Sequence, residues 1–291
     1  MSLIESAIEK LRRVSDANEL ATAAKAHAGS PTPKLPNAHV ASPPNYTLKR
    51  IAIDANELRR LGYLPDADLE RRFADHYRQI KRPLIEAALA GTADMRLILI
   101  SSALPGDGKT FTSINLALSI AHERDVSVLL VDADAPRGHV SEVFGVRHER
   151  GLIDALKDES LDVESLIVET DVRGVELLPA GRFVDNATEL LASNRMEQIA
   201  ARISARNPRR IVIFDSAPLL VSSESRVLLR IPGQVILVVR AGRTPRQAIV
   251  DAVAHVDKRR LRGLILNYVS AMTDSGYYYG SENYGEQTQD Q

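Results

Sequence analysis

The chain has 291 residues, is 44% hydrophobic and carries a formal net charge of -1, which is enough apolar mass for a real core and gives no global electrostatic pull toward nucleic acid. It contains no cysteine, which excludes disulfides and thiolate metal sites, and its seven histidines are scattered without ligand-like spacing, so any metal would be held by oxygen. The longest apolar stretches, RLILISSAL and GQVILVVRA, are strand-sized, and the charged N-terminus has no run suited to a signal peptide or a membrane span. The expectation is a cytoplasmic, soluble chain with no direct membrane span, recruited to the inner face of the cell membrane through a partner.

Residues 1–20 open with Ile4, Ala7, Ile8, Leu11 and Val14 on one face of a short amphipathic helix. That helix reads either as a frayed terminus or as a docking peptide for a membrane or protein partner. The following stretch, assigned to residues 21–67, contains AKAHAGSPTPKLPNAHVASPPNY, rich in proline and poor in hydrophobic mass, and reads as an extended linker. From residue 68 the pattern changes. DLERRFADHYRQIKRPLIEAAL predicts a helix interrupted near Pro83, and apolar strands then alternate with helices. The predicted strands are 96–102, 127–134, 175–181, 210–217, 234–242 and 263–269; helical stretches include 109–122, 187–206 and 245–258. This order predicts an α/β fold over residues 68–270, a mostly parallel β-sheet with helices on both faces and ligands at the carboxyl ends of the strands. Residues 271–291 form a polar tail that holds four of the chain's eight tyrosines, Tyr277, Tyr278, Tyr279 and Tyr284, where no packed core needs them.

Three stretches carry chemistry. After the first core strand, ALPGDGKTF supplies Pro105, Gly106, Asp107, Gly108, Lys109, Thr110 and Phe111, fitting the second half of the phosphate loop G-x-x-x-x-G-K-[ST] with Ala103 in place of the first glycine. Glycine amides at a helix N-terminus cradle phosphate oxygens, the lysine reaches the β and γ phosphates, and the threonine hydroxyl can ligate Mg2+. VLLVDADAPRG then delivers Asp132 and Asp134, and RIVIFDSAP delivers Asp215, at strand ends where carboxylates can hold Mg2+ and polarise a nucleophile. Each aspartate alone could simply cap a turn.

The set ALPGDGKT, VLLVDADAPRG and IVIFDSAP resembles the Walker A, A' and B motifs of bacterial protein tyrosine kinases, P-loop proteins of the MinD/ParA-like group that couple such a domain to a C-terminal tyrosine cluster. The segments LIESAIEKLRR and YRQIKRPLI narrow the resemblance to the cytoplasmic, exosortase-associated autokinases of exopolysaccharide gene clusters. The resemblance implies ATP and Mg2+ as cofactors and phosphoryl transfer to Tyr277, Tyr278, Tyr279 and Tyr284. It also implies Asp132 at the tyrosine oxygen, and Asp134 and Asp215 with Thr110 around the metal. Asn267 would lie near the adenine, at a strand end adjoining Arg240. It further implies a homo-oligomer, formed through Asp75, Arg78 and Lys81 as the nearest match to the ring-forming Glu-x-x-Arg-x-x-Arg, and a separate membrane-bound polysaccharide chain-length determinant as partner.

Two other readings share these motifs. One is a switch ATPase of the MinD/ParA type, whose phosphate loop carries an extra lysine; here that position is Leu104. The other is a non-catalytic regulator that binds nucleotide only to dock on a polysaccharide assembly complex.

Overall fold

The computed structural model describes residues 46–269. Their first half comprises β1 (Lys49–Ile51), α1 (Ala55–Arg60), α2 (Glu70–Ala90), β2 (Leu97–Ser102), α3 (Lys109–Ala121), β3 (Ser127–Asp132), α4 (His139–Val143) and α5 (Leu152–Lys157). The second half comprises β4 (Val168–Thr170), β5 (Val175–Leu178), α6 (Ala187–Leu191), α7 (Asn194–Ala205), β6 (Arg210–Asp215), α8 (Ser223–Leu228), β7 (Gln234–Arg240), α9 (Arg246–Ala254) and β8 (Leu261–Asn267). The eight strands form one sheet in the order β1-β4-β5-β3-β6-β2-β7-β8. Every neighbouring pair is parallel except β4 with β5, so the expected mostly parallel α/β sheet is present.

Strands buried on both faces need apolar residues at every position, and the central ones have them. Alternate residues of β2, β3 and β6 feed two cores. Leu97, Leu99, Leu129, Val131, Val212 and Phe214 pack with α5 to α9, while Ile98, Ile100, Val128, Leu130, Ile211 and Ile213 pack under α2 and α3. Continuing the second alternation, Asp132 pairs in register with Asp215. Both aspartates therefore leave the sheet on the α3 side, at the carboxyl ends of adjacent strands.

Four local readings change. Helix α2 runs unbroken from Glu70 to Ala90 with Pro83 inside it. Tyr77, Lys81, Leu84 and Ala88 are buried on both sides of the proline and hold the two halves to one core, while Pro83 itself faces solvent, where a missing helical hydrogen bond can be made up by water. The predicted helix 187–206 divides at Ala192 and Ser193. Ser193 is extended (ψ 160°), and its hydroxyl donates to Leu190 O at 2.6 Å, closing α6 before α7 begins. Strand β4 is only three residues long, too short for a periodic signal.

The fourth change bears on the linker. Residues 46–67, placed within it by composition, contain β1 and α1. β1 adds to the sheet edge through Lys49 opposite Val168. Asp54 caps α1 by accepting from Asn56 N at 2.9 Å and Glu57 N at 3.2 Å. The D-x-x-E spacing of Asp54 and Glu57 was the available signal for that helix start.

Candidate active site

The phosphate loop joins β2 to α3. Gly106 (φ 82°) and Gly108 (φ 94°) take left-handed backbone conformations that side chains rarely adopt. Gly108 is the N-cap of α3 without any side-chain cap bond, so the first amides of a thirteen-residue helix face the loop free to bind an anion. Ala103 occupies the position of the missing first glycine, and its methyl is buried in the core; no left-handed turn is required there.

Second-layer contacts fix the loop. Asp107 accepts from Leu104 N at 3.3 Å and from the Thr244 hydroxyl at 2.8 Å. Asn267 Nδ2 donates to Asp107 O at 3.1 Å, and the Arg240 guanidinium donates to Gly106 O at 3.3 Å. Pro105 and Gly106 are exposed on the rim. Phe111 is turned away from the loop, its ring edge-on to Phe73 with centroids 5.9 Å apart; it anchors α3 to α2.

Lys109 begins α3 and is 7% exposed. Burial pushes its ammonium below the usual lysine range, opposed by the charges of Asp215, Asp134 and Asp107. A carboxylate beside the phosphate loop therefore does two jobs: it keeps Lys109 charged and it gathers hard oxygen donors.

The three strand-end carboxylates sit in different surroundings. Asp215 is buried with both oxygens engaged, Oδ2 by the Thr110 hydroxyl and Oδ1 by the Ser113 hydroxyl, each at 2.8 Å. Burial raises its pKa, while Lys109, Thr110 and Ser113 oppose the shift. Asp132 is fully buried, and its Oδ2 accepts from Ser141 N at 2.7 Å and Ser141 Oγ at 2.6 Å. Ser141 Oγ in turn accepts from Ala180 N at 2.9 Å. Oδ1 of Asp132 has only a long 3.3 Å bond from Asp134 N. Burial pushes Asp132 up to about 7 despite the Ser141 bonds. Asp134 is 2% exposed and makes no side-chain hydrogen bond among the described residues.

Thr110, Asp134 and Asp215 thus offer hydroxyl and carboxylate oxygens, the donor class Mg2+ prefers. Among the described residues no group of three or more His, Cys, Asp or Glu side chains could hold a metal ion. Ser113, Ser141 and Thr244 are the site residues that sequence reading missed. Only Ser113 had a usable signal, standing three residues after Thr110 on the same helix face.

The residues expected at a subunit interface are divided by the fold. Asp75 and Arg78 form an exposed ion pair one turn apart. Lys81 is 4% exposed; its Nζ donates to Ser119 O at 2.7 Å and pairs with Glu123 at 2.7 Å. Both of these partners lie within the same chain. Tyr277, Tyr278, Tyr279 and Tyr284, and the amphipathic helix of residues 1–20, lie outside the described residues. Among those described, no helix is long and apolar enough to cross a membrane.

The profile of the AAA-domain family matches residues 95–260, more than half the chain and the whole span from phosphate loop to Asp215. The tyrosine-protein kinase YwqD of Bacillus subtilis is 29% identical over 215 residues, covering 72% of this chain and 88% of that protein. The tyrosine-protein kinase etk of Escherichia coli K12 is 33% identical over 187 residues, 63% of this chain but only 25% of that longer protein. Among solved structures, the kinase domain of Escherichia coli ETK superposes with a TM-score of 0.63 at 26% identity, over 78% of this chain and 99% of that domain. The VpsO kinase domain superposes with a TM-score of 0.58 at 27% identity, over 71% of this chain and all of that domain. The chain therefore belongs to the AAA-domain family, and within it is a bacterial protein tyrosine kinase of the P-loop type.

Proposed function

We propose that the chain is an autokinase that transfers the γ-phosphate of ATP to Tyr277, Tyr278, Tyr279 and Tyr284 of a neighbouring copy. The observation that carries this reading is the Asp132 carboxylate, buried, pinned by Ser141 and in register with Asp215 at strand ends beside the phosphate loop. The amides of residues 106–110 and the Lys109 ammonium bind the phosphates and spread the charge that develops on the transferred group. Thr110, Asp134 and Asp215 are the residues that would hold Mg2+, which would supply charge neutralisation at the phosphates. Oδ1 of Asp132, the less engaged oxygen, orients the tyrosine hydroxyl and takes its proton. The new bond joins the tyrosine oxygen to the γ-phosphorus, the bond from that phosphorus to the β-γ bridging oxygen breaks, and ADP leaves. Asn267 holds the loop from the adenine side.

Leu104 supports this reading over a switch ATPase. It stands where those proteins carry the extra lysine, and it packs partly buried against the core, so it extends no charge toward a partner. In this proposal the kinase works at the inner face of the membrane with a membrane-bound chain-length determinant, and phosphate added to the tail regulates exopolysaccharide synthesis. Each phosphate adds about -1.5 to -2 charges, which loosens the contact between copies.

Intact mass and peptide mapping after incubation with Mg-ATP test the reading. Stepwise phosphate additions on the tail are expected, and they should be absent from Lys109→Met and from the variant with all four tail tyrosines changed to Phe. ATP bound or hydrolysed with no tail phosphate, even with an activator peptide present, would overturn it in favour of the switch ATPase or the non-catalytic docking regulator.

A further inference from the structure

Tyr268 is the one non-glycine residue with a positive φ (58°) among those described. A bulky side chain rarely adopts this conformation, which persists where surrounding contacts over-determine it. Those contacts come from the preceding residue. Asn267 O accepts from Ala241 N at 2.8 Å, Asn267 Oδ1 accepts from Tyr268 N at 2.9 Å, and Asn267 Nδ2 donates to Asp107 O at 3.1 Å. The turn is thus nailed to the phosphate loop. A Cβ placed on Gly108 would lie 3.5 Å from Tyr268 Cε2, so the ring stands at the loop itself.

Tyr268 is 57% exposed. The Arg240 guanidinium carbon lies 4.0 Å from its ring centroid, and the same guanidinium donates to Gly106 O. One face of the ring is therefore backed by a cation that is itself tethered to the loop, and the ring remains open to solvent. A flat, backed aromatic held in a strained conformation at the mouth of a phosphate cradle has little structural purpose, since it contributes no buried area to either core. It matches what a nucleobase needs: an aromatic surface fixed within reach of the bound phosphates.

We propose that Tyr268, backed by Arg240, is the platform on which the base of a purine nucleoside triphosphate stacks. The assignment rests on the nucleotide-binding reading of the phosphate loop and is independent of what the phosphate is transferred to. Base recognition then falls to a side chain at the root of the C-terminal tail, directly following the asparagine that closes on the loop.

The test is a calorimetric titration of the full chain with ATP, CTP and inorganic tripolyphosphate, each with Mg2+. Tyr268→Ala is expected to weaken ATP by about ten-fold, the value of one lost base stack, to leave tripolyphosphate unchanged, and to flatten the preference for ATP over CTP. Tyr268→Phe keeps the ring face and should bind as the parent does. Tyr268→Gly separates binding from folding, because glycine is at ease at this φ: thermal stability without nucleotide should hold or rise while ATP affinity falls as in the alanine variant. Lys109→Met should weaken ATP and tripolyphosphate together. If it weakens neither, the nucleotide-binding reading fails, and the platform with it. If Lys109→Met weakens both while Tyr268→Ala leaves ATP unchanged, weakens tripolyphosphate equally, or strengthens either ligand, the platform alone is overturned; strengthening would mark the ring as a plug.

Discussion

Replacing Gly108 with alanine tests the construction of the phosphate loop. The backbone there has φ 94°, and an added Cβ would stand 1.9 Å from Asn267 Nδ2 and 3.2 Å from Asn267 Cγ. The left-handed conformation costs alanine about 1–2 kcal/mol. The clash is with the end of a movable side chain, so Asn267 swings away and forfeits its bond to Asp107 O, about 0.5–1.5 kcal/mol. Together the substitution should destabilise the protein by about 1.5–3.5 kcal/mol, a melting temperature lower by roughly 3–14 °C for a domain of this size. A double-mutant cycle separates the two parts. In an Asn267→Ala background the clash and the bond are already gone, and Gly108→Ala should cost only the backbone share. Circular dichroism melts of the four proteins supply the values. A single substitution within about 0.5 kcal/mol of the parent, or an equal cost in both backgrounds, would refute the account of Asn267 closing on the loop.

Two further outcomes follow from buried charges away from the phosphate loop. Burial alone would raise the Asp154 carboxyl, but donors from Gly151 N at 3.0 Å, Arg182 N at 3.2 Å and Arg182 Nε at 3.1 Å outweigh it and hold its pKa below the ordinary value. A depressed carboxylate contributes stability above the unfolded pKa near 3.9, and the contribution fades as pH falls through the folded value. Asp154→Asn should therefore cost about 1–3 kcal/mol at neutral pH, with a gap to the parent that closes below about pH 4; a gap constant from pH 7 to 3 would contradict the assignment. Lys81→Met keeps the buried stem but removes the ammonium from Ser119 O and Glu123. It should lower the melting temperature and leave the oligomer mass unchanged in light scattering. Loss of oligomer with normal stability would return Lys81 to the interface.

Much of the site was legible along the chain because its chemistry is local. Consecutive residues Gly106 to Thr110 form the phosphate loop whatever the rest of the protein does, and an apolar run ending in Asp places that carboxylate at a strand end. The alternation of such runs with helical stretches also determined the fold class. Proline-poor order within 46–67 was hidden because β1 has three residues and gains its stability from pairing with β4, 119 positions later at the Lys49 and Val168 register. Pro83 misled for a similar reason: the local cost of proline in a helix is outweighed by buried residues on both sides of it, visible only once α2 lies on α3.

The tertiary structure alone decided which groups act on which. Ser141 reaches Asp132 because β3, α4 and the end of β5 converge. Thr244, Asn267 and Arg240 reach the phosphate loop only because β7 lies beside β2 and β8 beside β7. Sequence determined the residues that can bind phosphate, accept a proton or ligate a cation, since these are properties of side-chain type and short spacing. Burial, which moves Asp132 to about 7 and withdraws Lys81 from the surface, arises from contacts between segments distant in the chain, and only the folded arrangement of the sheet sets them.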